Sequence, residues 1–236
     1  MKIVKIIPAK TNLEQILNIA PAKNYVPEWY KKSPQKIKSY ENFSLSPENP
    51  VSTTSTYKAC SPFLDALTHG YIFYLSKDIE VVLNNDGSPH ILWRVSPDPI
   101  SWHTNNQWEG FNFSDDYHNF IFKWSNYFII KTPKHYSTLF THPHNRFDLP
   151  FQTISGVVDT DKYNLTTQFP FLLKKDFSGI IEAGTPVAQI NFFKRTHWIK
   201  NLLKYDEGFV KTANQKYFSK INRSYKNQMW EKKQYD

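Results

Sequence analysis

The chain has one cysteine, Cys60, among 236 residues. That excludes an intramolecular disulfide and every zinc site built on paired thiolates. The Pro-Cys-x-x-Cys ligand pair of the zinc deaminases is missing with them. Cys60 itself reads as a small buried hydrophobe. Glycine is almost as sparse, at seven residues, and none falls in a Gly-x-Gly-x-x-Gly or Gly-x-x-x-x-Gly-Lys spacing. Dinucleotide folds and P-loops need backbone amides laid bare by those glycines, so any phosphate must be held here by side chains or strand-end amides. Long apolar runs are lacking too: residues 127–130 and 187–193 fall far short of the ~20 needed to span a bilayer. The opening Met1-Lys-Ile-Val-Lys-Ile-Ile-Pro8 has no small-residue cleavage site, so the expectation is a soluble, cytoplasmic protein without a signal peptide or membrane partner.

Arginine is scarce: Arg94, Arg146, Arg195 and Arg223 are the only four, although the formal net charge is +8. Residues 198–236 hold nine Lys or Arg against four Asp or Glu, which leaves +3 for the rest of the chain. Base-reading surfaces favour the guanidinium fork, and a solvated Lys-rich tail does not supply it, so nucleic acid is not the expected partner.

What the sequence does have is short strands. Residues 1–8 alternate like an opening strand, and residues 11–20 place Leu13, Ile16, Leu17 and Ile19 at near-helical spacing behind an N-cap Thr11. Residues 21–50 are a proline-punctuated connector held to the surface by Tyr25, Trp29 and Tyr30. Cys60-Ser-Pro-Phe-Leu-Asp-Ala-Leu67 suits a helical turn. A hairpin with arms at 71–75, 79–83 and 91–95 turns through Asn85-Asp86-Gly87. Further strands are expected at 120–124, 127–131, 137–141, 151–158, 165–170, 179–182 and 187–193. With no helix between them they pair antiparallel, which predicts an all-β sandwich or barrel over residues 51–197, preceded by a packing segment at 1–50. In the tail, 198–236, Phe209, Ala213, Tyr217, Ile221, Tyr225 and Met229 recur every four residues, marking an amphipathic helix that covers its own domain or a neighbouring subunit.

Asp159 and Asp161 sit two apart past a strand end, where i and i+2 side chains face one way. Such a pair can supply a carboxylate base beside a metal-polarised phosphoryl group. It equally suits the capping of a tight turn. The stretch Ser155-Gly-Val-Val-Asp-Thr-Asp-Lys-Tyr163, with Ile181-Glu-Ala-Gly-Thr-Pro-Val-Ala-Gln-Ile190, resembles the third and fourth motifs of the trimeric dUTPase and dCTP deaminase superfamily. The resemblance implies a dUTPase-like β-clip, a homotrimer, and a pocket for a pyrimidine deoxynucleotide. It implies Asp159 orienting water beside Asp161, Tyr163 stacking on the base, and Lys134, Ser137 and Gln189 completing the pocket, with Mg2+ carried by the substrate's phosphates. The spacing Asp-Thr-Asp-Lys-Tyr is one residue longer than that family's Asp-x-Asp-Tyr. Gln168 stands where its deaminases use a glutamate, and its Arg- and Gly-rich C-terminal arm is replaced by the Lys-rich tail. A wider set, Pro27-Glu-Trp-Tyr-Lys, Cys60-Ser-Pro-Phe-Leu-Asp, Gly70-Tyr, His142-Pro-His-Asn-Arg-Phe-Asp-Leu-Pro150 and Gly184-Thr-Pro through Lys194-Arg195, resembles an uncharacterised protein family of tailed phages and some bacteria. That implies a viral source, acting in the cytoplasm of an infected cell.

His142 and His144, with Asp148, are a separate candidate, because a His-x-His pair plus a carboxylate is the donor set of a non-haem Fe2+ centre. The surrounding prolines and Asn145 suggest a loop instead. The aromatics between Trp93 and Tyr127 suit core filling, with carbohydrate or partner contact as the alternative reading. Three functions therefore stay open: pyrimidine-nucleotide binding or hydrolysis, a non-catalytic phage structural or accessory role, and metal-dependent oxygenation.

Overall fold

The computed structural model describes residues 2–11, 17–39, 52–94, 96–218, 225 and 229–236. Two compact units are interleaved along the chain, one of Met1–Tyr25 with Thr68–Arg195 and one of Val26–Leu67 with Thr196–Asp236. The larger is all-β. Strand β1 (Lys5–Pro8) pairs antiparallel with β10 (Phe128–Lys131). A five-stranded sheet runs β13 (Gly156–Val158), β11 (Tyr136–Thr141), β16 (Pro186–Lys194), β5 (Tyr71–Tyr74), β2 (Ile19–Pro21). A four-stranded sheet runs β12 (Phe151–Thr153), β14 (Phe169–Leu173), β9 (Phe122–Trp124), β8 (Ile100–Trp102), and a three-stranded one β15 (Gly179–Ile181), β6 (Ile79–Leu83), β7 (Pro89–Leu92).

Period-two alternation explains the outer strands: in β6, Ile79 and Val81 are buried while Glu80 points to water. The middle strand β16 is instead buried continuously over its first six residues, as expected of a strand covered on both faces. The core is aromatic. Trp124 stacks on Phe171 with ring centroids 3.7 Å apart, and Phe151 meets Trp124 edge-on. Phe73 contacts both Phe128 and Phe169. The indole N–H of Trp124 is not stranded by this burial, since it donates to the Thr153 hydroxyl at 3.2 Å.

The smaller unit contains α1 (Glu28–Lys32), the hairpin β3 (Lys36–Ser39) with β4 (Ser52–Ser55), α2 (Ser61–Thr68) and α3 (Glu207–Phe218). Trp29, Tyr30, Tyr57 and Phe63 form its aromatic cluster, with Tyr30 stacked on Phe63 at 5.9 Å. The Trp230 indole and Lys233 ammonium both donate to Asp65, at 2.8 Å each.

Several sequence expectations are corrected. Ile19 and Ala20 belong to β2, not to a helix, because β5 offers an open edge that pairs residues 19–21 and Pro21 has no amide for a helix interior. Leu17 and Asn18, also in that expected helix, are irregular, and residues 12–16 lie outside the described residues. The Asn85-Asp86-Gly87 turn does join β6 to β7, but β5 pairs with β16 and β2. The single strand expected over 151–158 is two strands in different sheets. Strand β14 starts at Phe169, later than expected. Cys60 is exposed, at the end of the 3-10 turn Tyr57–Ala59. The expected apolar face of the tail is described only in part, and its Ile221 lies outside the described residues.

Candidate functional site

The acidic corner after β13 is built by backbone bonding. The carbonyl of Asp159 accepts from the amides of Lys162 at 2.8 Å and Tyr163 at 2.9 Å, closing one tight turn. Thr160, buried at its centre, is fixed by a directed chain of hydroxyls. Thr132 donates to the Tyr136 carbonyl at 3.0 Å, so its oxygen accepts from Thr160 at 2.9 Å, which in turn accepts from Thr138 at 2.7 Å. Thr138 lies on β11, so the chain pins the corner to the strand that carries Ser137.

Arg195 locks the same corner from the other side. Its amide donates to the His135 carbonyl at 2.8 Å, just beyond the end of β16. Its guanidinium then reaches past β11. Both terminal nitrogens donate to the Asp161 carboxylate, one of them at 2.9 Å, and Nη1 also lies 2.8 Å from Ser137 Oγ and 3.0 Å from Asp159 Oδ1. The His135 amide adds a bond to Asp161 at 2.8 Å, from a residue held at a positive φ of 70°. Ser137 donates to Asp159 at 2.7 Å. The Asp161 side chain is only 5 % exposed, whereas that of Asp159 is 50 % exposed.

These contacts set the charge state. The Arg195 guanidinium beside Asp161, with the His135 amide, holds that carboxyl well below the usual carboxylate range. The Ser137 hydroxyl, helped by Arg195, lowers Asp159 as well. Arg195 is pushed up by Asp161 in return. Both acids are thus firmly ionised and already hydrogen-bonded, which makes them poor proton acceptors near neutral pH.

Of the residues singled out in the sequence, Ser137, Asp159 and Asp161 converge. Lys134 is exposed on the turn that precedes Tyr136, and Tyr163 leaves the corner with its ring 40 % exposed. Together with Val157, Val158, Asp159 and Lys162, Tyr163 lines an open depression of about 540 Å3. Gln189 is elsewhere. It faces Thr141 in register, whereas Ser137 faces Phe193 at the other end of β11. Its amide accepts from the His144 amide at 2.8 Å and donates to the His69 carbonyl at 2.6 Å.

His142 and His144 lie in the loop that Gln189 anchors. The Thr153 amide donates to His142 Nδ1 at 3.2 Å, so the ring proton sits on Nε2 and is donated to the Arg146 carbonyl at 3.0 Å. Asp148 is taken by Arg146 in a fork of 2.8–3.2 Å. Nε2 of His144 meets the Asn191 amide at 3.4 Å, and the Asn191 oxygen faces Nδ1 of His69. Burial lowers the pKa of both loop histidines. With both nitrogens of His142 engaged and Asp148 neutralised, this set does not fit an iron centre. Among the described residues no group of three or more His, Cys, Asp or Glu is arranged to hold a metal.

No family model and no curated protein matches the chain. Sequence reading missed Arg195 as the keystone of the corner and His69 and Asn191 as partners of the histidine loop. The signal for Arg195 was available: it is one of four arginines and ends the strand bearing the Gly-Thr-Pro corner.

Proposed function

We propose that the chain is a non-catalytic structural or accessory module, built on a dUTPase-like β frame, in which the acidic corner serves as an electrostatic latch. The observation that carries this reading is the clasp of Arg195 on Asp161 and Asp159. A guanidinium that satisfies both carboxylates occupies the position a substrate-borne cation needs, and it depresses the basicity that water activation requires. The buried amide of Gln189 is committed to the His144 amide and the His69 carbonyl, at the end of β11 away from the acidic corner. The test is direct. Incubation of the protein with each deoxynucleoside triphosphate and Mg2+ should yield no hydrolysis and no shift in Tm. Turnover abolished by Asp159→Asn would overturn the latch reading.

A second reading keeps a pyrimidine deoxynucleotide as ligand. It is favoured by the depression of about 540 Å3 beside the half-exposed Asp159 and the open face of Tyr163. A ring stacked there would contact Tyr163, with its phosphates turned toward Lys162. Its signature is a pyrimidine-specific rise in Tm that Tyr163→Ala removes.

A further inference from the structure

The acidic corner stands among lysines that no acid neutralises. The antiparallel registers bring the start of β1, the end of β10, the start of β11 and the end of β16 to one end of the larger unit, with the turn after β13 beside them. Lys5 faces Lys131 across β1 and β10, and Lys131 donates to the side-chain oxygen of Asn164. Lys194 faces Tyr136 across β16 and β11, and the Lys2 ammonium lies 5.6 Å from the centre of the same ring. Lys134 sits on the turn between β10 and β11, and Lys162 on the corner itself. Lys131 is half-buried and the other five are exposed. Among the described residues none of the six forms an ion pair with a carboxylate, since Arg195 takes both Asp159 and Asp161.

Positive charge is concentrated at this end. The larger unit holds 15 Lys or Arg against 13 Asp or Glu, a net +2. The six lysines with Arg195, less Asp159 and Asp161, carry +5 of it, which leaves −3 for the remainder of the unit. Like charges directly opposite one another destabilise a strand pair. Lys5 against Lys131 therefore costs stability in the free protein, and an anion held between them removes that cost.

We propose that this end of the larger unit binds single-stranded nucleic acid through its phosphates, without selecting bases. Lysine holds a phosphate as a point charge, so the scarcity of arginine, which counts against base reading, does not count against backbone binding. Tyr163, 40 % exposed beside the open depression that Lys162 borders, gives one base a surface to stack on. An anionic bilayer is the poorer occupant. The Asp159 carboxylate, 50 % exposed among the lysines, would be pressed against a flat layer of headgroups, whereas a strand one nucleotide wide passes beside it. The proposal rests on neither reading of the corner, because Lys2, Lys5 and Lys194 lie outside the depression beside Tyr163.

The test is fluorescence anisotropy of the full chain with a labelled oligothymidylate longer than the roughly 4–16 nucleotides that one single-strand binding fold covers. Affinity should fall with salt at a log–log slope of about −4, as expected of six phosphate contacts to a single strand. Oligoadenylate should bind within a few-fold of oligothymidylate. Lys5→Gln with Lys194→Gln should weaken binding at least tenfold, make the slope shallower by about 1.4 and leave Tm no lower. Lys200→Gln with Lys204→Gln removes equal charge from the basic tail and should change the affinity less than twofold. Absence of binding, a salt-independent affinity, equal losses in the two double variants, or displacement of the oligonucleotide by an equal concentration of dTTP would overturn the proposal. So would phosphatidylserine vesicles that bind more tightly than the oligonucleotide and are lost in the Lys5 and Lys194 variant. The wild-type salt slope decides the matter even where a variant folds poorly.

Discussion

The guanidinium of Arg195, beyond the end of β16, holds the carboxylate of Asp161 across β11 with two hydrogen bonds. The two residues are 34 positions apart, and β11 separates the strands that deliver them. One cation thereby ties the end of the middle strand β16 to the turn that follows the edge strand β13.

Arg195→Gln leaves Asp161 buried next to Asp159 without a counter-charge. The folded-state pKa values of both acids are depressed, so the stability they contribute is complete above about pH 4, the ordinary carboxyl range, and is lost as pH falls through the lower folded values. Wild type should therefore lose stability steeply only at acid pH. The variant should be less stable at pH 7 by more than Arg94→Gln, and its acid limb should be shallower. Urea unfolding between pH 2.5 and 7 measures both.

Thr160→Val breaks the hydroxyl chain at its middle. Thr138 loses its acceptor and Thr132 a donor, both inside the protein. A buried polar group left unsatisfied costs about 1–3 kcal/mol, so the unfolding free energy should fall by that amount, seen as a lower denaturant midpoint with an unchanged slope. Thr132→Ser keeps the chain and should cost much less. Equal losses in the two variants would contradict the hydroxyl chain as the source of the loss.

Gly70→Ala is expected to be among the most damaging single-methyl changes. Gly70 has φ +75°, and an added Cβ would run into the carbonyl oxygen of Ile190 and the side-chain oxygen of Asn191. Strain and collision together should destabilise by at least about 2 kcal/mol. Because Asn191 also faces His69 and His144, histidine NMR signals should shift in any variant that still folds.

His142 and His144 are held neutral by burial, with folded-state pKa values below the ordinary 6.5. Their contribution to stability is complete above that value and is lost as pH falls through the folded pKa, since the unfolded chain then binds more protons. Tm should decline between pH 6.5 and 5, well before the carboxylates titrate. His144→Gln should flatten that decline, and an unchanged pH profile would show that His144 does not carry it.

The all-β character was legible because it rests on local signals. Alternation in residues 79–83, the Asn85-Asp86-Gly87 turn and the mostly apolar stretch at 187–193 each favour a strand whatever they pair with. The residues of the corner were legible for the same reason, since Asp159 and Asp161 flank a turn-forming sequence. Gln189 was not placed correctly by spacing alone. It lies in β16 six residues before Arg195, which on a strand of about 3.3 Å per residue puts it at the opposite end of β11. Ile19 and Ala20 looked helical because Leu13, Ile16 and Leu17 precede them, yet the hydrogen bonds available on β5 outweigh so weak a preference.

By itself, the sequence determined which chemistries are closed to this protein and which segments are extended, because composition and short-range periodicity act residue by residue. Tertiary structure alone decided that Arg195 neutralises the acidic corner and that both nitrogens of His142 are engaged. Charge state and hydrogen-bond saturation depend on which distant strands are neighbours. No local pattern encodes that β16 lies between β11 and β5.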